Sequence, residues 1–173
     1  MGKFILVSGP SGSGKSVFAE QLAARLPGSR YYIATMVPCT ADNHRRIEKH
    51  RLQRQGLGFV TLERDRDVSL APVEPGSTVL LEDVSNLLAN ALFAQGGSAG
   101  RVEEDIRGLA GRCGTFIAVT IAGLEETGCT GETAGYIRDL NQLNRRLFQL
   151  ADAAVSMKDG RPIARKGNLD DLV

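Results

Sequence analysis

Gly9-Pro10-Ser11-Gly12-Ser13-Gly14-Lys15-Ser16 follows the spacing G-x-x-x-x-G-K-[ST], the phosphate-binding P-loop pattern, in which each residue type has its own role around a polyphosphate. Glycines let the backbone turn with its N–H groups inward, the helix that follows offers its positive dipole end, and Lys15 supplies a mobile cation for the outer phosphates. The Ser16 hydroxyl suits Mg²⁺. Such a loop works with a second acid at the end of a buried strand, and "VLLED" offers Glu82 or Asp83. Either acid would also start the next helix well, because carboxylates favour the positive dipole end. A third feature is "DNHRRIEKHRLQRQ", Asp42 to Gln55, which holds both histidines of the chain among five Arg and Lys residues. Only Ile47 and Leu52 are apolar there, so as a helix it is polar nearly all round. His44 and His50 stand roughly 120° apart in a helical projection, whereas helical metal pairs use i, i+4 spacing, so a shared metal is excluded. A single imidazole among guanidinium groups stays neutral and nucleophilic, while the same groups attract phosphate.

These residues need elements to hold them, and the hydrophobic pattern alternates between two periods. "KFILVS" (Lys3 to Ser8) reads as a strand, followed through the glycine loop by a helix from about Ser16 in which Phe18, Leu22 and Leu26 recur until Pro27-Gly28. Further strands are expected at Tyr31 to Thr35, Phe59 to Leu62, Thr78 to Glu82, Thr115 to Ala122 and Ala153 to Met157. Helices are expected at Asp83 to Gln95 and Glu132 to Leu150. Gln95 to Gly100 and Thr127 to Gly131 read as loops too short to link domains. The expected fold is α/β and P-loop NTPase-like, a mostly parallel central sheet flanked by helices, with residues 1–173 forming one nucleotide-binding domain. The histidine segment directly follows a strand, on the side of such a sheet where ligands sit.

Composition narrows the function classes. With 21 Lys+Arg against 20 Asp+Glu the net charge is +1, so no global field argues for nucleic acid or an anionic membrane. The apolar runs are far shorter than the ~20 residues of a membrane span, and the N-terminus lacks a signal-peptide pattern, so the cytoplasm is expected. Three cysteines, Cys39, Cys113 and Cys129, have neither disulfide-framework nor zinc spacing and read as inert thiols.

Over nearly its whole length the chain resembles the bifunctional adenosylcobinamide kinase / adenosylcobinamide-phosphate guanylyltransferases of cobalamin biosynthesis. The resemblance rests on the early P-loop, "YIAT" (Tyr32 to Thr35), "RIEKHR" (Arg46 to Arg51), "TLE" with Glu63, "LLE" with Glu82 followed by Asn90, and "YIRDLNQLNRRL" before "ADAAV". It implies that a nucleoside triphosphate, GTP or ATP, gives its γ-phosphoryl group to a cobinamide hydroxyl. GMP is then transferred to that phosphate through a covalent adduct on the histidine of R-I-x-x-H, the place His50 occupies. It also implies Lys15 as a catalytic residue, Thr35, Arg51, Glu63 and Glu82 near the nucleotide, Ser16 and Glu82 at Mg²⁺, and a homo-oligomer acting on a corrinoid. The family pattern departs at Ile121-Ala122-Gly123-Leu124, where Asn-Glu-Val-Gly is usual, and at Gly135, where an arginine is expected. Two other readings are a P-loop small-molecule kinase without guanylyl transfer and a nucleotide-dependent switch. The switch is disfavoured because N-K-x-D is absent and the single D-x-x-G, Asp105 to Gly108, lies in a helical pattern.

Overall fold

A computed structural model describes residues 2–94 and 96–173. Seven strands form one sheet: β1 (Lys3–Gly9), β2 (Arg30–Ala34), β3 (Phe59–Glu63), β4 (Thr78–Glu82), β5 (Thr115–Ile121), β6 (Ala153–Lys158) and β7 (Arg161–Lys166), in the order β3-β2-β4-β5-β1-β6-β7. All neighbours are parallel except β6 and β7. The sheet is thus α/β and mostly parallel, with a seventh strand that the sequence pattern did not indicate.

The inner strands are near-continuous apolar runs because both of their faces are covered. Ile5 and Val7 of β1 join Leu80, Ile117 and Val119 against Ala19, Leu22 and Ala23 of helix α1 (Lys15–Arg25). Phe4 and Leu6 point the other way and pack with three further helices, α3 (Val84–Phe93), α4 (Ala99–Ala110) and α5 (Gly131–Leu150). Sheet alternation with period two therefore makes two cores from one strand. Helix α2 (Ala41–Gln53) contributes no buried residue, as expected for a helix polar nearly all round.

The expected loop at Gln95 to Gly100 is corrected at its end: Ala99 and Gly100 are already helical, capped by the Ser98 side chain, which accepts from the Arg101 N–H at 3.4 Å. Gln95 lies outside the described residues. α4 takes in the helical pattern expected at Asp105 to Gly108, but its bounds were not anticipated. Its Val102, Ile106 and Leu109 are buried. The parallel register brings the carboxyl ends of β1, β2, β3, β4 and β5 to one edge, with Ala34 opposite both Glu63 and Glu82 and Gly9 opposite Ile121.

Candidate functional site

The loop from Pro10 to Gly14 joins the end of β1 to α1 as the motif requires. Gly14 is the N-terminal flanking residue of α1 at φ 87°, and Gly12 has φ 73°, conformations that side chains with a Cβ rarely adopt. A Cβ on Gly9 would lie 2.6 Å from Ser13 Oγ and 2.9 Å from the Met157 carbonyl oxygen, so the closeness of β6 also demands glycine there. The Gly160 N–H, in the β6–β7 turn, donates to the Ser13 carbonyl at 3.1 Å and ties that turn to the loop. Pro10, Ser11 and Gly12 stand exposed at the rim, while Ser13 and Lys15 are buried. Lys15 Nζ folds back to donate to the Pro10 carbonyl at 3.2 Å.

Glu82 ends β4, two strands away from β1, yet Ser16 Oγ donates to its Oε1 at 2.6 Å. Its Oε2 is buried without a hydrogen-bond partner. Burial, and then the charge of Asp83, push the Glu82 carboxyl up from the usual carboxylate range, and the Ser16 hydrogen bond pulls it back. A hydroxyl beside a carboxylate with one unused oxygen is a donor set that suits a hard divalent cation such as Mg²⁺. Asp83 is engaged elsewhere, because its Oδ1 accepts from the Asn86 N–H at 2.7 Å and caps α3. The two acids thus differ in their surroundings: Glu82 faces the Ser16 hydroxyl, and Asp83 caps α3.

Thr35 follows β2 and is fully buried. Its Oγ1 accepts from the Asp83 N–H at 2.8 Å and lies 3.0 Å from the Glu82 carbonyl oxygen, so it braces the strand end that carries Glu82. Asn90 Nδ2 donates to the Thr35 carbonyl at 2.8 Å and to the Asp65 carbonyl at 3.0 Å, joining α3 to the ends of β2 and β3. Arg51 and Glu63 are exposed. Arg51 approaches Glu48 at 3.8 Å rather than any residue of the loop.

His50 is half-buried on α2, with Nδ1 enclosed and unpartnered, whereas His44 is exposed. The imidazole is held below its ordinary pKa by burial first, and then by Arg46, Arg54, Lys49 and Lys15. The sequence pointed to the arginines but not to burial as the main cause. Lys15 acts in both directions, steadying the Glu82 carboxylate and weighing against a charged His50. Glu20, Gln53 and Arg54 were not singled out by the sequence pattern. Gln53 Nε2 donates to Glu20 Oε2 at 2.6 Å, and the Arg54 guanidinium lies 3.9 Å from the centre of the Tyr32 ring. The available signal was Glu20 itself, a charged residue between the small apolar positions Ala19 and Ala23 on the buried stripe of α1.

A parallel sheet whose strand β1 runs through a glycine-rich loop into a helix is the fold of P-loop nucleotide-binding proteins. Solved structures share it: an ATPase from the type III secretion system of pathogenic bacteria has a TM-score of 0.57 at 12% identity, covering 99% of this chain and 62% of that one. An ATP synthase subunit from Nanoarcheaum equitans has a TM-score of 0.53 at 13% identity, covering 90% of this chain and 45% of that one. Residues 5–164 match the family described as cobinamide kinase / cobinamide phosphate guanyltransferase, and the chain belongs to that family of transferases of cobalamin biosynthesis. The chain is also 26% identical over 201 residues to ABC transporter G family member 25 of Arabidopsis thaliana, covering 92% of this chain and 29% of the transporter. It thus spans under a third of that relative's length. Among the described residues no helix is long and apolar enough to cross a membrane.

Proposed function

We propose that this chain phosphorylates a cobinamide hydroxyl from GTP and then transfers GMP to the resulting phosphate through a covalent adduct on His50, as a homo-oligomer in the cytoplasm. The observation that carries this reading is a half-buried His50, its Nδ1 enclosed and without a partner among the described residues, on a helix that the Gln53–Glu20 hydrogen bond ties to the helix of the phosphate loop. In the first reaction the acceptor oxygen attacks the γ-phosphorus, the bond from that phosphorus to the bridging oxygen breaks, GDP leaves and the hydroxyl proton passes to solvent. Lys15 and the N–H groups of residues Ser11 to Ser16 hold the phosphates and counter the charge that develops. Ser16 and Glu82 would hold Mg²⁺, which supplies charge neutralisation at the phosphates when bound.

In the second reaction an imidazole nitrogen of His50 attacks the α-phosphorus, an N–P bond forms and the bond to the departing pyrophosphate breaks. The phosphate oxygen of the acceptor then attacks the same phosphorus, the N–P bond breaks and His50 returns neutral. Arg51, exposed on α2, and Glu63, exposed at the carboxyl end of β3, would contact the nucleotide, and Thr35 would act by bracing Glu82.

The test is GTP labelled at the α-phosphate followed by denaturing electrophoresis. The parent protein should become labelled, His50→Ala should not, and His44→Ala should label normally. Phosphoryl transfer should persist at least in part in His50→Ala, while Lys15→Ala should weaken triphosphate binding and depress both reactions. A parent protein that phosphorylates cobinamide without ever labelling would leave the kinase alone. Labelling that survives in His50→Ala would move the nucleophile elsewhere.

A further inference from the structure

Glu20 belongs to no part of the machinery described above, and its burial calls for an explanation. It is 1% exposed on α1, one turn beyond Ser16. A carboxylate so enclosed is costly unless its oxygens are satisfied. Only half of that requirement is met: Oε2 accepts from Gln53 Nε2, and Oε1 has no partner. An uncharged residue would fill the space without that cost.

Gln53 is the last residue of α2 and stands three positions after His50, so the two side chains share a face of the helix. Because α2 buries none of its own residues, packing alone does not fix how it is rotated. Its C-terminal end is fastened at two points. Gln53 reaches Glu20 on the helix of the phosphate loop. Arg54, which is buried, covers the Tyr32 ring and donates to Thr61 Oγ1 at 3.3 Å and 3.2 Å. The Arg54 backbone N–H also donates to the His50 carbonyl at 3.1 Å, so both fastenings lie within a turn of the imidazole.

We propose that Glu20 is a positioning residue for guanylyl transfer: by accepting from Gln53 it sets the rotation of α2 about its axis and so aims His50 toward the phosphate loop. The proposal rests on reading His50 as the nucleophile. It makes Glu20 matter for guanylyl transfer more than for phosphoryl transfer, because the covalent step runs on His50 itself, whereas phosphoryl transfer would draw on α2 through the Arg51 contact alone.

Glu20→Ala should slow labelling from α-labelled GTP at least about tenfold more than it slows phosphoryl transfer, with the loss in rate at saturating GTP rather than in KM. Gln53→Ala, at a half-buried helix end where misfolding is no concern, should show the same split. The double variant should be no worse than either single one, as expected of two halves of one contact. Glu20→Gln keeps a carbonyl oxygen for the Gln53 amide and should recover most of the labelling. A second readout does not depend on guanylyl transfer. Carbethoxylation of His50 by diethyl pyrocarbonate, followed by mass spectrometry, should differ between parent and Glu20→Ala while that of His44 stays the same.

Equal slowing of both reactions, no recovery in Glu20→Gln, or unchanged His50 modification would each overturn the proposal. A parent that fails to label while the modification of His50 still responds to Glu20→Ala would instead overturn the nucleophile reading and leave the aiming contact standing.

Discussion

His50 is set apart from His44 by its surroundings, since both sit in the same basic stretch and only one is enclosed. Burial and four cationic neighbours hold its imidazole below the ordinary value of 6.5, so it stays neutral at pH 7 and through the first steps of acidification. The labelling rate should therefore be flat on lowering the pH to about 6.5 and decline only below it. Arg46→Ala removes the second-largest cause and should move the midpoint upward. A parent midpoint at or above 6.5 would contradict the arrangement. The stability linkage has a matching sign. The folded chain resists a proton that the unfolded chain accepts below about pH 6.5, so this share of stability is present above that pH and is lost as pH falls toward the folded value. The loop and the R-I-x-x-H histidine were legible because their meaning lies in contiguous spacing. Glu20 and Gln53 were not, because they stand on different helices and meet only after α2 lies across α1.

At the scale of elements, the structure goes beyond expectation in the bounds of α4 and in β7. α4 carried a readable period in Val102, Ile106 and Leu109, but the glycines around its start drew the boundary into a loop. β7 was hidden differently. "RPIARK" has a proline and three cations, a composition that suits an edge strand and masks it, although the Asp159-Gly160 pair before it is a hairpin signal. α4 also carries Asp105, whose two carboxylate oxygens accept from the Val68 and Ser69 N–H groups at 2.6 Å and 2.7 Å. These contacts hold the short 3₁₀ turn of Val68–Leu70 against α4. Asp105→Ala leaves both donors unpaired and should lower stability by about 1–3 kcal/mol. Urea unfolding with an unchanged m-value would register the loss, and an unchanged midpoint would show that the turn needs no anchor. The departures from the family pattern fall on elements too: Gly123 and Leu124 lie in the exposed connection between β5 and α5, and Gly135 sits in the second turn of α5. None of them falls in the phosphate loop.

For the molecule as a whole, the sheet is the frame on which every site residue depends, and Phe116 stands near its centre. It is 1% exposed, and its ring lies 5.1 Å from that of Phe4 on the neighbouring strand. Phe116→Ala should cost about 3–5 kcal/mol through lost burial and the cavity left behind. A calorimetric melting point that falls by less than roughly 5 °C would show that the core closes around the gap. The sheet order has a further consequence, for the order in which a ribosome delivers the chain. β1 emerges before both of its neighbours, β5, paired from Thr115, and β6, paired from Ala153. Until those strands follow, the apolar run Phe4 to Val7 has two open edges, the state in which nascent chains associate with one another or recruit chaperones. The Gly160–Ser13 hydrogen bond ties the phosphate loop to the β6–β7 turn as well, so the loop reaches this arrangement only once that turn has been made. The phosphate loop is thus translated before the strands and turn that complete its setting.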